Sequence, residues 1–289
     1  MNTLQDRVAV VTGACGGIGR ATCIALADAG AHVALVDVKL DGVEDIVDRI
    51  HQIGRNTSVH RLDVSDTDAV NALPQAILDA HGAVHVLVNN AGVTATEPFL
   101  SQSKEDFDWV LNINLGGVVA GTRAFLPHLA RGPEGHIVNI SSVFGIIGVP
   151  GQVAYCTSKY AVRGFTEALA EELQGTSVGT TVVHPGGINT GIVKNSRLSD
   201  EDERARMEDF FANNTLPPEA VADKIVAAIL RDRARVLVAP EAHIFDLLKR
   251  LMPTWGNRIA IRGLLKAMGM EDSMEEQRRK LLDDLQSGP

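Results

Sequence analysis

The sequence predicts an α/β fold, a doubly wound parallel sheet of about seven strands with helices on both faces. Three observations predict it. Short continuous runs rich in Val and Ile recur along the chain, as in Arg7 to Thr12 and His32 to Val36. A strand covered on both faces has no reason to alternate polar with apolar residues, so such runs suit a buried parallel sheet. Each run is followed by a helical pattern, and the first meets Gly13-Ala-Cys-Gly-Gly-Ile-Gly19, a tight strand-to-helix turn. That combination is of the Rossmann type.

Taken in order, Arg7 to Thr12 is the first strand, and Arg20 to Ala29 is the helix that Gly30 closes. His32 to Val36 is the second strand and ends in Asp37. A helix near Val43 to Ile53, a strand at Thr57 to Leu62, a helix at Ala69 to Ala80 and a strand at Val84 to Val88 continue the alternation. Glu105 to Leu129 reads as one long helix and His136 to Ile140 as the fifth strand. Gln152 to Glu172 is helical on its run of Ala, Leu and Glu. A strand at Val178 to Val183 follows, then a polar insertion from Lys194 to Asn214, a helix at Pro218 to Arg231 and a strand at Arg235 to Val238. No repeat, low-complexity tract or linker divides the chain. Residues 1–240 are expected to form a dinucleotide-binding core with the substrate pocket, and residues 241–289 a helical extension of the same domain.

With 289 residues, of which 45% are hydrophobic, the chain has enough apolar mass for one large domain. A net charge of −9 repels polyanions, so nucleic acid is not an expected partner. The opening Met-Asn-Thr-Leu-Gln-Asp has no basic, apolar leader, and no apolar run approaches the roughly 18 to 20 residues of a bilayer span. Cys15, Cys23 and Cys156 form no Cys-x-x-Cys pair, which suits a reduced, cytoplasmic chain. Nine histidines without His-x-x-x-His spacing offer no metal site.

Gly13, Gly17 and Gly19 let backbone N–H groups approach a pyrophosphate at the positive end of a helix. Asp37, about 20 residues past the turn, stands where a ribose 2′-hydroxyl would be held and a 2′-phosphate repelled. Neither Gly16 nor Val38 offers a neutralising cation, and Lys39 reads as a solvated surface lysine. The expected cofactor is therefore NAD rather than NADP. Tyr155 and Lys159 stand four apart and share a helix face. An ammonium beside a phenol favours the phenolate and is expected to pull the tyrosine pKa down from about 10. Ser142 follows an apolar strand and can hold the oxygen that this proton serves. Cys15 is expected to be a small filler, His184 a packed histidine and Tyr160 a packing residue.

Thr12-Gly13-x-x-x-Gly17-Ile18-Gly19, Asn89-Asn90-Ala91-Gly92, Asn114, Ser142, Tyr155-x-x-x-Lys159 and Pro185-Gly186, in this order, resemble the short-chain dehydrogenase/reductase superfamily over roughly residues 5 to 240. The resemblance implies a catalytic set of Asn114, Ser142, Tyr155 and Lys159. Asn114 is then the residue that disturbs its helix and holds a water leading to the lysine. The resemblance also implies that Asp63 and Val64 contact the adenine, and that Asn90, Ala91 and Gly92 wall the cofactor. Gly13, Gly17, Ile18 and Gly19 cradle it, and Tyr155 and Lys159 contact it as well. Pro185, Gly186 and Ile188 border the nicotinamide, and Thr190 meets its carboxamide.

The expected reaction is hydride transfer between a secondary alcohol or ketone and NAD. The loop from Val143 to Val149 is uncharged, and with Ser142, Tyr155, Phe144, Ile188, Ile192, Val193, Phe210 and Phe211 it suits an apolar or ring-bearing substrate. Steroid-, retinoid-, fatty-acyl- or aromatic-type alcohols and ketones fit it. The Lys194 to Asn214 insertion reads equally as a lid or a solvated connection. Ala242 to Met252 and Arg258 to Met268 mix apolar with basic residues as amphipathic helices do. They are expected to cover the pocket or a neighbouring subunit of a homodimer or homotetramer in preference to lying on a membrane. The charged tail from Glu271 is expected to fray. Two rival functions remain open on these residues, an NADP-dependent carbonyl reductase and a non-catalytic dinucleotide-binding regulator.

Overall fold

The computed structural model describes residues 1–192, 196–198, 204–205, 208–209, 215–269, 279, 282 and 285. The chain runs β1 (Val8–Thr12), α1 (Gly17–Asp28), β2 (His32–Asp37), α2 (Val43–Gln52), β3 (Thr57–Arg61), α3 (Thr67–His81), β4 (Val86–Asn89) and β5 (Ala95–Thr96). It continues with α4 (Lys104–Leu111), a π turn (Asn112–Gly116), α5 (Gly117–Leu129), β6 (Gly135–Ile140), α6 (Val153–Glu172), β7 (Val178–Pro185) and β8 (Arg197–Leu198). The last described elements are α7 (Pro218–Leu230), β9 (Arg235–Val238), α8 (Pro240–Leu251) and α9 (Trp255–Met268).

The seven-stranded sheet has the order β3-β2-β1-β4-β6-β7-β9, and every pairing in it is parallel. The order reverses between β1 and β4, which opens a crevice at the carboxyl ends of the strands. Successive side chains of a strand face opposite ways, and β1 shows it. Ala9 and Val11 join a layer with Leu26, Ile46, Ile225 and Ile229. Val8 and Val10 join the other, with Ile77, Phe125, Leu129 and Ile137. Burial on both faces explains why the strands read as unbroken apolar runs.

Between the layers, a buried polar chain locks β4 to β6. The Asn89 amide donates to Thr122 Oγ1 at 3.2 Å and to Asn139 Oδ1 at 2.9 Å. Asn139 in turn donates to Thr166 Oγ1 at 3.0 Å, and Thr166 to the Val162 carbonyl.

Two elements differ from expectation, and a third departs from a plain helix as the resemblance implied. α1 begins at Gly17, three residues before Arg20, because Gly17 and Gly19 are poor helix formers that close packing requires here. The long helix from Glu105 is broken by the π turn, in which Asn114 is buried. A two-stranded pair, β5 with β8, has no sequence signal because each strand has only two residues. Of the wall and insertion expected near the site, Val193, Lys194, Phe210 and Phe211 lie outside the described residues, as does the start of the tail at Glu271. No helix among the described residues is long and apolar enough to cross a membrane.

Two buried histidines make stability depend on pH. His136 bonds Thr181 Oγ1 at 2.8 Å, and burial pushes it down to about 4. His184 bonds the Ser142 carbonyl at 2.9 Å and is pushed down to about 4, again by burial. Both are neutral in the folded protein where the unfolded chain, titrating near 6.5, takes up protons. Stability is therefore expected to fall as pH drops from about 6.5 toward 4, by roughly 3 kcal/mol per histidine at the limit. Urea unfolding at about pH 7 and about pH 5 checks this, and equal stabilities would remove both residues from the account.

Candidate active site

The crevice holds a cavity of about 1450 Å³, and every cofactor residue expected from the sequence lines it, as do Ser142, Phe144, Tyr155, Ile188 and Ile192 of the expected substrate wall. Of the expected catalytic set, Asn114 alone does not, being fully buried behind the wall.

At one end is the glycine turn. Gly13 has φ +64°, a conformation that side chains rarely adopt, and an added Cβ would lie 2.9 Å from Ala91 Cα. A Cβ on Gly19 would run into the Gly13 carbonyl oxygen. Asn90 braces the turn, its amide donating to the carbonyls of Thr12 at 2.9 Å and Gly13 at 3.1 Å. The Thr12 hydroxyl accepts the N–H groups of Asn90 at 3.0 Å and Ala91 at 3.1 Å. Sequence reasoning carried Thr12 only as part of a motif; here it clamps two strand ends together. The N-terminus of α1 has no side-chain cap and no acidic residue in its first turn, so its positive end is left for an anion.

Asp37 closes β2 at the cavity wall, with one oxygen accepting the Cys15 N–H at 2.9 Å and the other the Lys39 N–H at 3.1 Å. Its carboxylate is thus fixed in place before any ligand arrives. Burial, reinforced by Asp37, pushes the Cys15 thiol up to about 11, which makes it a filler and not a nucleophile. Asp63 accepts from the Ser65 N–H at 2.9 Å and the Ser65 hydroxyl at 2.7 Å. Val64 rests on Gly117, where a Cβ would come within 2.8 Å of it.

At the other end stand Ser142, Tyr155 and Lys159. The Ser142 oxygen accepts the Phe144 N–H at 3.1 Å, and its side chain bonds the Tyr155 phenol. The Tyr155 ring meets Phe144 edge-on, centroids 6.1 Å apart. Lys159 Nζ lies 5.6 Å from the Tyr155 centroid and donates to the Ile140 carbonyl at 2.9 Å. The Asn114 Oδ1 accepts the Val93 N–H at 2.8 Å, while its amide donates to the Val93 carbonyl at 2.9 Å and to Ser158 Oγ at 3.0 Å. Ser158 donates to the Tyr155 carbonyl at 2.7 Å. A Cβ on Gly92 would lie 3.3 Å from Asn114 Oδ1 and 3.4 Å from Lys159 Nζ, so glycine there keeps amide and ammonium adjacent.

One expectation is overturned. The phenol of Tyr155 is pushed up to about 12, burial outweighing the Ser142 hydrogen bond. The same burial pushes the Lys159 ammonium down to about 8. Both groups disfavour charge because both are enclosed, and the ammonium is aimed at a backbone carbonyl. Spacing along a helix shows that two side chains share a face but not how dry that face is.

The loop after β7 lies between these ends. Thr190 packs on Gly17, where a Cβ would come within 3.1 Å of its methyl group. Ile188 is buried and bridges to Leu216. The Gly187 N–H donates to Glu241 Oε1 at 2.8 Å, tying α8 to the Pro185–Gly186 segment. Sequence reasoning missed Glu241, whose only signal is a carboxylate in the first turn of a helix beginning Pro240-Glu241. It also took His184 as packing alone, whereas His184 holds the carbonyl of Ser142. Tyr160 is the packing residue expected, its hydroxyl bonded to the Ile146 carbonyl.

Phe144, Val149, Ile192, Leu264, Leu265 and Met268 make the wall beyond Tyr155 apolar. Thr94, Gln152 and Thr96 interrupt it with a bonded polar chain of 2.8 and 2.5 Å. Among the described residues no group of His, Cys, Asp and Glu could hold a metal ion.

A family model described as short chain dehydrogenase matches residues 7–201. A protein of Mycobacterium tuberculosis named as an oxidoreductase, SadH, is 40% identical over 270 residues, covering 92% of this chain and 98% of that one. The 3-oxoacyl-[acyl-carrier-protein] reductase FabG of Thermotoga maritima is 33% identical over 223 residues, or 77% of this chain and 90% of its own. Among solved structures, a short chain dehydrogenase/reductase from Burkholderia phymatum in complex with NAD superposes with a TM-score of 0.81 at 32% identity, covering 87% of this chain and 95% of that one.

Proposed function

The chain belongs to the short chain dehydrogenase family, and from that premise we propose that it is an NAD-dependent oxidoreductase interconverting a secondary alcohol and a ketone. The observation that carries this reading is one continuous cavity with a glycine cradle and a fixed carboxylate at one end and Ser142, Tyr155 and Lys159 at the other. NAD, when bound, supplies the carbon that exchanges hydride with the substrate.

The cradle fits such a group. Gly13, Gly17 and Gly19 leave room at an uncapped helix N-terminus, and the Asp37 carboxylate would hold ribose hydroxyls while repelling a 2′-phosphate. Ser142 orients the reacting oxygen. Tyr155, kept protonated, gives its proton to a ketone oxygen as the carbon gains hydride, and in the reverse direction its phenolate takes a proton from an alcohol. Lys159 then stabilises the phenolate left behind, and Asn114 holds α6 through Ser158. The apolar wall of Phe144, Ile192 and Leu264 favours apolar or ring-bearing substrates over sugars and hydroxy acids.

A panel of cyclic, aromatic and long-chain secondary alcohols and ketones, scored by absorbance of the reduced cofactor with NAD and with NADP, tests the reading. Turnover with NAD on at least one apolar member supports it, and inactivity across the panel would overturn it. In Asp37→Ala the preference for NAD over NADP is expected to shrink by about tenfold or more, since the charge that rejects the phosphate is gone. Affinity for NAD itself is also expected to fall, because the Cys15 N–H loses its acceptor. An unchanged ratio of kcat/KM for the two cofactors would place the selectivity elsewhere.

A further inference from the structure

We propose that the hairpin of α8 and α9 is a docking face for an anionic lipid surface. The hairpin is apolar on both sides. Its inner side packs Ala242, Phe245, Ala260 and Leu264 against Val143, Ile146 and Ile147 of the loop after Ser142. On the outer side Ile244, Leu247 and Leu251 fall at i, i+3 and i+7, one face of a helix. Trp255 and Ile259 stand one turn apart on the second helix.

These five side chains are exposed, Leu251 at 70%, Trp255 at 63% and Leu247 at 57%. Scattered apolar side chains are ordinary on a surface, but five exposed on one hairpin, one of them a tryptophan and three on one face of a helix, mark an interaction site.

The charge around the face identifies the partner. The two helices carry five Lys and Arg against two carboxylates, in a chain whose net charge is −9. Arg258 lies over the Trp255 ring, 5.1 Å from its centroid, Arg262 and Lys266 are exposed on the same helix, and Arg250 is exposed on the first helix, where it pairs with Asp246 at 2.9 Å. Apolar residues and Trp between basic residues suit an interfacial helix, whose apolar face enters the acyl boundary while the cations meet phosphate headgroups. A second copy docking through the same face by twofold symmetry would bring two basic rims together, which opposes association. The proposal concerns binding alone, so its failure leaves the chemistry proposed above untouched.

Sedimentation of the full chain with phosphatidylcholine vesicles, and with vesicles in which about a third of the lipid is phosphatidylglycerol, tests it. Binding to the second and little to the first is expected, with a blue shift of fluorescence that Trp255→Phe removes. Arg258→Glu with Arg262→Glu is expected to weaken binding by about tenfold or more, and Leu251→Glu with Trp255→Glu to abolish it, with turnover retained. Should a variant fail to fold, the wild type still decides, since rising salt must weaken its binding. Absence of binding to the anionic vesicles, or binding indifferent to salt and to headgroup, would overturn the proposal. So would a concentration-dependent dimer that Leu251→Glu dissociates, which would assign the face to a second copy.

Discussion

Replacing Tyr155 with Phe is expected to lower kcat by about a thousandfold, while dinucleotide affinity stays within about twofold. General acid–base catalysis by one placed side chain is worth about 10² to 10⁴ in rate, and among the described residues nothing else at that end of the cavity is poised to replace it. Lys159 holds its protons on an amine bonded to Ile140, and His184 is neutral with its Nδ1 engaged by the Ser142 carbonyl. The substitution is also conservative in packing. The phenylalanine ring keeps the edge contact with Phe144 and gives up only the hydroxyl and its bond to Ser142. A loss shared equally by kcat and kcat/KM marks an interaction made in the transition state. Steady-state kinetics and calorimetric titration of NAD separate the two quantities, and a variant that retains turnover would remove Tyr155 from the mechanism.

Gly19→Ala is expected to weaken dinucleotide binding by about ten- to a hundredfold and to lower thermal stability. The added methyl group would meet the Gly13 carbonyl oxygen and, at 2.8 Å, the Asn90 amide. Neither can yield cheaply, since Gly13 already has positive φ and the Asn90 amide is held by two carbonyls. Overpacking of this kind costs about 1–3 kcal/mol, and strain that opens the turn removes the N–H groups aimed at an anion. Gly164→Ala is the control. It lies within α6, an added Cβ there has nothing within 4 Å, and its φ is not positive. That change is expected to be neutral or to add up to about 1 kcal/mol of stability. Equal cofactor affinity in Gly19→Ala and wild type would mean that the turn does not hold the dinucleotide.

The sheet was legible because parallel strands buried on both faces read as unbroken Val and Ile runs, and β9 matches its expected bounds. Helix starts were less legible. α1 begins inside a glycine cluster, whose residues are there for close approach and not for helix propensity. The π turn was not legible from helix propensity, since Asn112-Ile113-Asn114 resembles any helix with weak formers; the resemblance alone pointed to Asn114 as the disturbing residue, and its exchange of bonds with Val93 explains the extra residue per turn. The site was legible as a set of residues, since motif spacing reflects which strand ends meet at one crevice. Its electrostatics were not. The sign of the Tyr155 shift depends on enclosure by Phe144 and by Ala95, Val110 and Ala154, and the role of Glu241 on a helix that returns to touch Gly187. Neither contact leaves a periodic trace in the chain.

A secondary alcohol bearing deuterium at its carbinol carbon, incubated with NAD and analysed for label in the reduced cofactor, tests the central claim most directly. Wild-type protein is expected to move the deuterium onto the nicotinamide, and Tyr155→Phe is expected to slow that transfer by the factor seen in kcat. Reduced cofactor without the label, or label transferred at the same rate in the variant, would contradict the account.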